Sequence, residues 1–249
     1  MDLKEENDAN FIIHFNKGLA SLSLDDYDTA IKHFDASLSL NQNHAETHLC
    51  KGIALESLCK YMESIECYEN VIRCSLDPLT NNEHIISQAY NNKAVALGNM
   101  NKFDEALECL NELIKLNPTY EKGYFNKGFI LLKSKNDKQS AFQIFDEVIR
   151  LKPTSSEAFK QKGIAHEFCN EYMQAVECYN EALKRMSSSN DVHLYMLKGE
   201  AAQYLEDYEE ACRSYQMALK LNPNLIEAHF NMGIIFKHLN KVKTNFFCK

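Results

Sequence analysis

The chain has 249 residues, 27 basic against 35 acidic for a formal net charge of −8, and is 45% hydrophobic and 25% charged. That composition is too apolar for a disordered chain, and no Lys/Arg block or basic helical stripe offers what a phosphate backbone attracts, which argues against nucleic acid and anionic membranes as direct ligands. No apolar run approaches a membrane span, and nine cysteines, an odd number with no Cys-x-x-Cys pair, fit reduced thiols in the cytoplasm or nucleus better than a disulfide scaffold.

Residues 1–10, MDLKEENDAN, read as a polar tail without the basic stretch and apolar core of a signal peptide. From residue 11 a unit of about 34 residues recurs as 11–44, 45–78, 87–120, 121–155, 156–191 and 192–225, with an incomplete seventh at 226–241. Residues 79–86 are an insertion, and 242–249 form a non-repeat tail. Six of the eight glycines, Gly18, Gly52, Gly128, Gly163, Gly199 and Gly233, share one register. Twelve or thirteen residues later comes a small residue, at Ala30, Ser64, Ala141, Ala175 and Ala211, and four beyond that an aromatic, at Phe34, Tyr68, Phe145, Tyr179 and Tyr215.

Within a unit the apolar residues recur twice at three- and four-residue intervals, as in Tyr124, Phe125, Gly128 and Leu131, then Ala141, Phe145, Val148 and Ile149. Each unit is therefore a pair of amphipathic helices joined by a short polar turn such as Lys135-Asn136-Asp137. A mid-helix glycine costs about 1 kcal/mol against alanine, a loss explained if the second helix lays its aromatic on bare backbone there. Prolines at 78, 118, 153 and 223 stop the second helices.

These residues resemble the tetratricopeptide repeat, best in the fifth unit with Phe159, Gly163, His166, Tyr172, Ala175, Tyr179, Ala182 and Leu183. The third unit departs from that pattern, with Ala94 for the glycine and Leu110 for the second aromatic. The resemblance covers roughly residues 11–241 and implies an all-α, right-handed superhelical solenoid of antiparallel helix pairs. It implies a non-enzymatic adaptor or scaffold that binds a protein or peptide partner on the concave face lined by first helices. In co-chaperones of the family, lysines at positions five and nine grip a C-terminal carboxylate. Phe15 and Leu19 stand there in the first unit, so a co-chaperone role would use another surface. A third alternative is the targeting region of a longer enzyme.

Mapped through the resemblance, position five places Phe15, Leu49, Asn91, Phe125, Lys160, Met196 and Phe230 on the groove. Position six places Asn16, Cys50, Asn92, Asn126, Gln161, Leu197 and Asn231, and position nine Leu19, Ile53, Val95, Phe129, Ile164, Glu200 and Ile234. The expected peptide-binding set is Phe15, Asn16, Leu49, Ile53, Asn92, Val95, Phe125, Asn126, Phe129, Gln161, Ile164 and Asn231. Carboxamides suit such a surface because each offers donor and acceptor to a peptide backbone.

Other clusters carry less. His44, Glu46 and His48 imitate a zinc-protease motif with the glutamate displaced by one place. Cys67, Cys109 and Cys178 share a register but lie about one repeat apart, too far for common ligation. No phosphate loop or nucleophile elbow is present, so neither a catalytic residue, a metal nor a cofactor is expected. The lysine row Lys17, Lys51, Lys93, Lys127, Lys162 and Lys198 reads as stems covering apolar surface. Phe230, Ile234, Ile235 and Phe236 leave an apolar C-terminal end, an expected place of self-association or of a longer array.

Overall fold

The computed structural model describes residues 3–74, 82–135, 137–186 and 190–247, and these hold thirteen α-helices and no strand. Pro78 and Asn136 lie outside the described residues. The chain divides into two compact units, Met1–Ala141 and Phe142–Lys249. The first holds α1 (Leu3–Ser23), α2 (Tyr27–Leu40), α3 (Ala45–Ser57), α4 (Tyr61–Cys74), α5 (Glu83–Asn99), α6 (Phe103–Leu116) and α7 (Glu121–Lys135). After α8 (Lys138–Leu151), within which the division falls, the second holds α9 (Ser156–Phe168), α10 (Tyr172–Arg185), α11 (Val192–Tyr204), α12 (Tyr208–Leu221) and α13 (Ile226–Phe247).

The helix pairs α1–α2, α3–α4, α5–α6, α9–α10 and α11–α12 pack as the periodicity predicts. A methyl placed on Gly18 would lie 2.5 Å from the Phe34 ring, and one on Gly52 or Gly199 would lie 2.5 Å from Tyr68 or Tyr215. Those rings are fully buried, so each glycine exists to let an aromatic rest on helix backbone. In the third repeat the exchange is reversed: Ala94 and the smaller Leu110 are both fully buried in one cluster with Leu97, Ala106, Leu113 and Ile130. In the second unit Tyr195, Met196, Ala211, Tyr215, Ala218, Ala228 and Ile235 form one core, and Ala175, Tyr179, Ala182, Leu194 and Ala201 another.

The turns inside the pairs share one geometry. Asp25, Cys59, Asn101, Asn170 and Glu206 take φ of 58–60°, and the next N–H reaches back to close the helix, as Lys60 N to Leu55 O at 2.9 Å and Asp207 N to Ala202 O at 3.0 Å. Aspartate and asparagine tolerate this left-handed backbone; Cys59 and Glu206 carry its full Cβ strain. Helices α2 and α12 then start on a capping carboxylate, Asp26 accepting from Thr29 N–H at 3.2 Å and Asp207 from Glu210 N–H at 3.1 Å, whereas Lys102 and Glu171 start α6 and α10 without a side-chain cap.

Three boundaries differ from the sequence reading. Helix α1 begins at Leu3, inside the expected polar tail, where Lys4–Asn10 contain no proline or glycine and Glu5 and Glu6 favour a helix N-terminus. Helix α5 starts at Glu83, so residues 83–86 of the expected insertion are helical. Helix α13 continues to Phe247 through the place expected for a turn and tail, since nothing after Gly233 breaks a helix.

Candidate functional site

In the first unit, α5 and α7 enclose an apolar pocket of about 150 Å³. Val95, Phe103, Phe129 and Ile130 wall it, Asn126 and Lys133 supply its polar part, and the Lys133 ammonium lies 5.7 Å from the Phe103 ring centroid. Three expected groove residues, Val95, Asn126 and Phe129, thus meet at one place. A wider groove of about 780 Å³ is lined by Phe15 and Leu19 of α1, Glu46, Leu49 and Cys50 of α3, and Ile85 and Gln88 of α5. Leu19 and Ile53 keep 36% and 37% of their surface exposed, and Asn16 is exposed.

Position five corrects the expectation. Leu49 and Phe125 are 7% and 5% exposed, so Leu49 forms only the floor of its groove and Phe125 is a packing residue. The carboxamides of position six are partly bonded within the protein: Asn126 Nδ2 donates to Asn91 Oδ1 at 2.8 Å, and Asn91 Nδ2 to Asn92 Oδ1 at 3.2 Å. This chain ties α5 to α7 beside the apolar pocket and orients Asn126.

In the second unit Gln161 Nε2 donates to Glu157 Oε1 at 2.7 Å, and Ile164 packs half-buried against the Tyr179 cluster. Asn231 joins Glu200, Gln203, Tyr204, Tyr208, Glu227 and His238 around a pocket of about 550 Å³. Burial, with Glu227 nearby, raises the Glu200 carboxyl above its ordinary pKa.

Sequence reasoning missed a polar contact that recurs between the two helices of a pair. The Tyr68 hydroxyl donates to Glu56 Oε2 at 2.8 Å and the Tyr215 hydroxyl to Gln203 Oε1 at 3.0 Å, each acceptor standing twelve residues before its tyrosine. Where Phe34 lacks the hydroxyl, Leu22 stands at the acceptor place. Tyr179 faces Glu167 in the same register, but its fully buried hydroxyl meets the carboxylate outside good hydrogen-bond geometry. Burial lifts Glu167 to about 7, opposed by the Tyr179 hydroxyl beside it and reinforced more weakly by the Glu200 charge.

Four lysines of the row, Lys51, Lys93, Lys162 and Lys198, are half-buried and paired with acids. Lys51 meets Asp35 at 2.7 Å, Lys93 meets Glu69 at 2.7 Å and Lys162 meets Asp146 at 2.6 Å, each acid following a register aromatic of the preceding second helix. Lys198 meets Glu210 at 2.5 Å. His44 and His48 serve structure: His44 Nδ1 accepts from Thr47 N–H at 3.2 Å as the cap of α3, and His48 Nε2 donates to Gln42 O at 2.9 Å. Burial lowers the pKa of both. Among the described residues no group of three His, Cys, Asp or Glu could hold a metal. Cys67 and Cys178 are pushed by burial to about 11, which keeps them protonated and unreactive at neutral pH. No helix of the described residues is long and apolar enough to cross a membrane.

Four stretches match repeat families: residues 12–44, 87–120 and 121–155 match "Tetratricopeptide repeat" and residues 199–240 match "TPR repeat". No curated protein matches the chain. Among solved structures, the chain is similar to PilF of Pseudomonas aeruginosa, at 18% identity over 90% of this chain and 97% of that one, with a TM-score of 0.59. It is similar to the Cut9–Hcn1 structure of the APC/C, at 16% identity over 90% of this chain and 42% of that one, with a TM-score of 0.60. It is also similar to YrrB, described as a TPR protein with an unusual peptide-binding site, at 20% identity over 80% and 95% of the two chains, with a TM-score of 0.51. At these identities the likenesses establish the fold.

Proposed function

The chain belongs to the tetratricopeptide repeat family, and from that premise we propose that it is a non-enzymatic adaptor holding a segment of another protein along the inner face of its first helices. The observation that carries this reading is the α5–α7 pocket. Its volume of about 150 Å³ accepts one aliphatic or aromatic side chain, and Asn126 stands beside it, oriented by Asn91. One amide hydrogen of Asn126 is engaged by Asn91; the carboxamide has further donor and acceptor capacity with which to meet a peptide bond. An apolar anchor beside an oriented carboxamide is the arrangement that recognises an extended segment by one side chain and its adjoining backbone. Leu19 and Ile53 extend the apolar surface toward α1. The peptide-binding site described for YrrB supports the use of this fold for such a segment.

Selection of a random peptide library on the purified chain, followed by fluorescence-polarisation titration of the recovered peptides, tests the proposal. Val95→Trp fills the pocket from a half-buried position and should weaken binding at least tenfold with unchanged helicity. Equal affinity of wild type and Val95→Trp for every selected peptide would refute it.

A further inference from the structure

Three carboxylates lie across consecutive first helices of the second unit: Glu167 on α9, Glu200 on α11 and Glu227 on α13. They are close enough to act on one another. Burial raises Glu167 and Glu200 above the ordinary carboxylate range, the Glu200 charge adds to the rise at Glu167, and the Glu227 charge adds to the rise at Glu200, where His193 opposes it. Among the described residues none of the three forms an ion pair, while the neighbouring cations are held by other acids: Lys160 by Glu157 and Asp191, Lys198 by Glu210, and Arg213 by Glu209 and Glu210.

Two further observations point to an occupant. Asn92 stands beside the Tyr68 hydroxyl and Asn231 beside that of Tyr215, but the equivalent residue of the repeat after Tyr179 is Leu197. The fully buried Tyr179 hydroxyl, aimed at Glu167, has no well-formed hydrogen bond, so the Glu167 carboxylate lacks a good donor from its own repeat. Glu200 and Glu227 share the cavity of about 550 Å³, edged by Tyr204, Asn231 and His238. Tyr204 is 69% exposed and backed by Tyr172, with ring centroids 4.6 Å apart and planes 12° from parallel.

We propose that this row binds arginine side chains of the partner segment, one guanidinium seated between Glu200 and Glu227 against Tyr204 and a further donor meeting Glu167. Unpaired, half-buried carboxylates call for a cation, and no group of three His, Cys, Asp or Glu among the described residues could hold a metal. An organic cation remains. Guanidinium fits better than ammonium because its planar fork of five donors serves two carboxylates at once and lies flat on an aromatic ring, as Arg185 does within this unit, 4.0 Å from the Phe159 centroid. The proposal rests on the adaptor reading in that the segment follows the first helices, but it uses none of the residues of the α5–α7 pocket.

Fluorescence polarisation with a labelled, alternating glycine–arginine octapeptide tests it, at about pH 8, where Glu167 is ionised, and at about 0.15 M salt, where charges beyond about 8 Å are screened. The arginine probe should bind at least tenfold more tightly than its citrulline version, which keeps the shape and loses the charge, and several-fold more tightly than its lysine version. Glu200→Gln should weaken binding about fivefold or more, and Glu227→Gln, at an exposed position that folding does not depend on, should weaken it likewise. Glu63→Gln removes the same charge from α4 in the first unit and should change affinity less than twofold. Val95→Trp should leave the arginine probe unaffected, so this site and the α5–α7 pocket can fail separately. No binding up to about 1 mM protein, equal binding of the citrulline probe, or equal losses in Glu63→Gln and Glu200→Gln would overturn the proposal, the last reducing the effect to the net charge of −8.

Discussion

Replacement of Gly52 by alanine puts the packing account at risk, because two opposed effects must be ranked. The added methyl would lie 2.5, 2.9 and 3.0 Å from Cε1, Cδ1 and Cζ of Tyr68, where ordinary contact needs about 3.5 Å or more. The ring must retreat by about 1 Å, yet it is fully buried and its hydroxyl is tied to Glu56 at 2.8 Å. Overpacking of this kind costs about 1–3 kcal/mol, and alanine regains about 1 kcal/mol of helix propensity. The net expectation is a loss of about 1–2 kcal/mol. Gly98→Ala is the matched control, since its methyl would meet Ile130 at an unstrained 3.7 Å and should be neutral or stabilising by up to about 1 kcal/mol. At about 2–4 °C per kcal/mol for a chain of this size, thermal melts followed by circular dichroism should separate the two variants by several degrees. Hydrogen exchange should place the Gly52→Ala loss in α3 and α4, because a repeat array loosens locally. The reasoning fails if Gly52→Ala is as stable as wild type, or if Gly98→Ala is destabilised to the same extent.

Three further outcomes are expected. Cys59→Gly and Glu206→Gly remove a Cβ from left-handed backbone and should each raise stability in urea melts by about 0.5–1 kcal/mol, with a smaller gain for Asn101→Gly. Tyr68→Phe strips a donor from the half-buried Glu56 carboxylate and should cost about 1–2 kcal/mol; Tyr179→Phe removes a hydroxyl whose contact with Glu167 lies outside good hydrogen-bond geometry and should cost less than Tyr68→Phe. A carboxyl raised from 4.5 to about 7, as at Glu167, favours the folded state when protonated, so its penalty is absent below pH 4.5, grows as pH rises toward 7 and is complete above it. With solvent screening of a half-exposed group, Glu167→Gln should gain about 1 kcal/mol at pH 8 and nothing at pH 4; a gain of equal size at both pH values contradicts the assignment.

The registers that depend on side-chain size were readable directly. Gly52 with Ser64 and Tyr68, or Gly199 with Ala211 and Tyr215, state in sequence which helix lies on which, because only those sizes fit. Positions governed by backbone alone were not readable: Cys59 and Glu206 occupy left-handed turns without the glycine that announces them. Burial at position five was also hidden, since the covering surface of Leu49 or Phe125 comes from other helices than their own. The Tyr–acceptor contact had a signal in the twelve-residue spacing of Glu56 to Tyr68 and Gln203 to Tyr215, set against Leu22 before Phe34. Of the expected groove residues, Val95, Asn126 and Phe129 gather around one pocket, and Phe15 and Leu49 line another. Asn92 is drawn into an internal hydrogen-bond chain that a row of carboxamides does not reveal.

Photo-crosslinking tests the adaptor reading most directly. A library-selected peptide carrying benzophenone at its apolar anchor is irradiated on the chain, and the labelled residues are read by mass spectrometry. Labels on Val95, Phe129 or Lys133, lost when excess unlabelled peptide competes, are the predicted result; competed labels confined to the outer faces of α2, α4 and α6 would contradict recognition by the first helices.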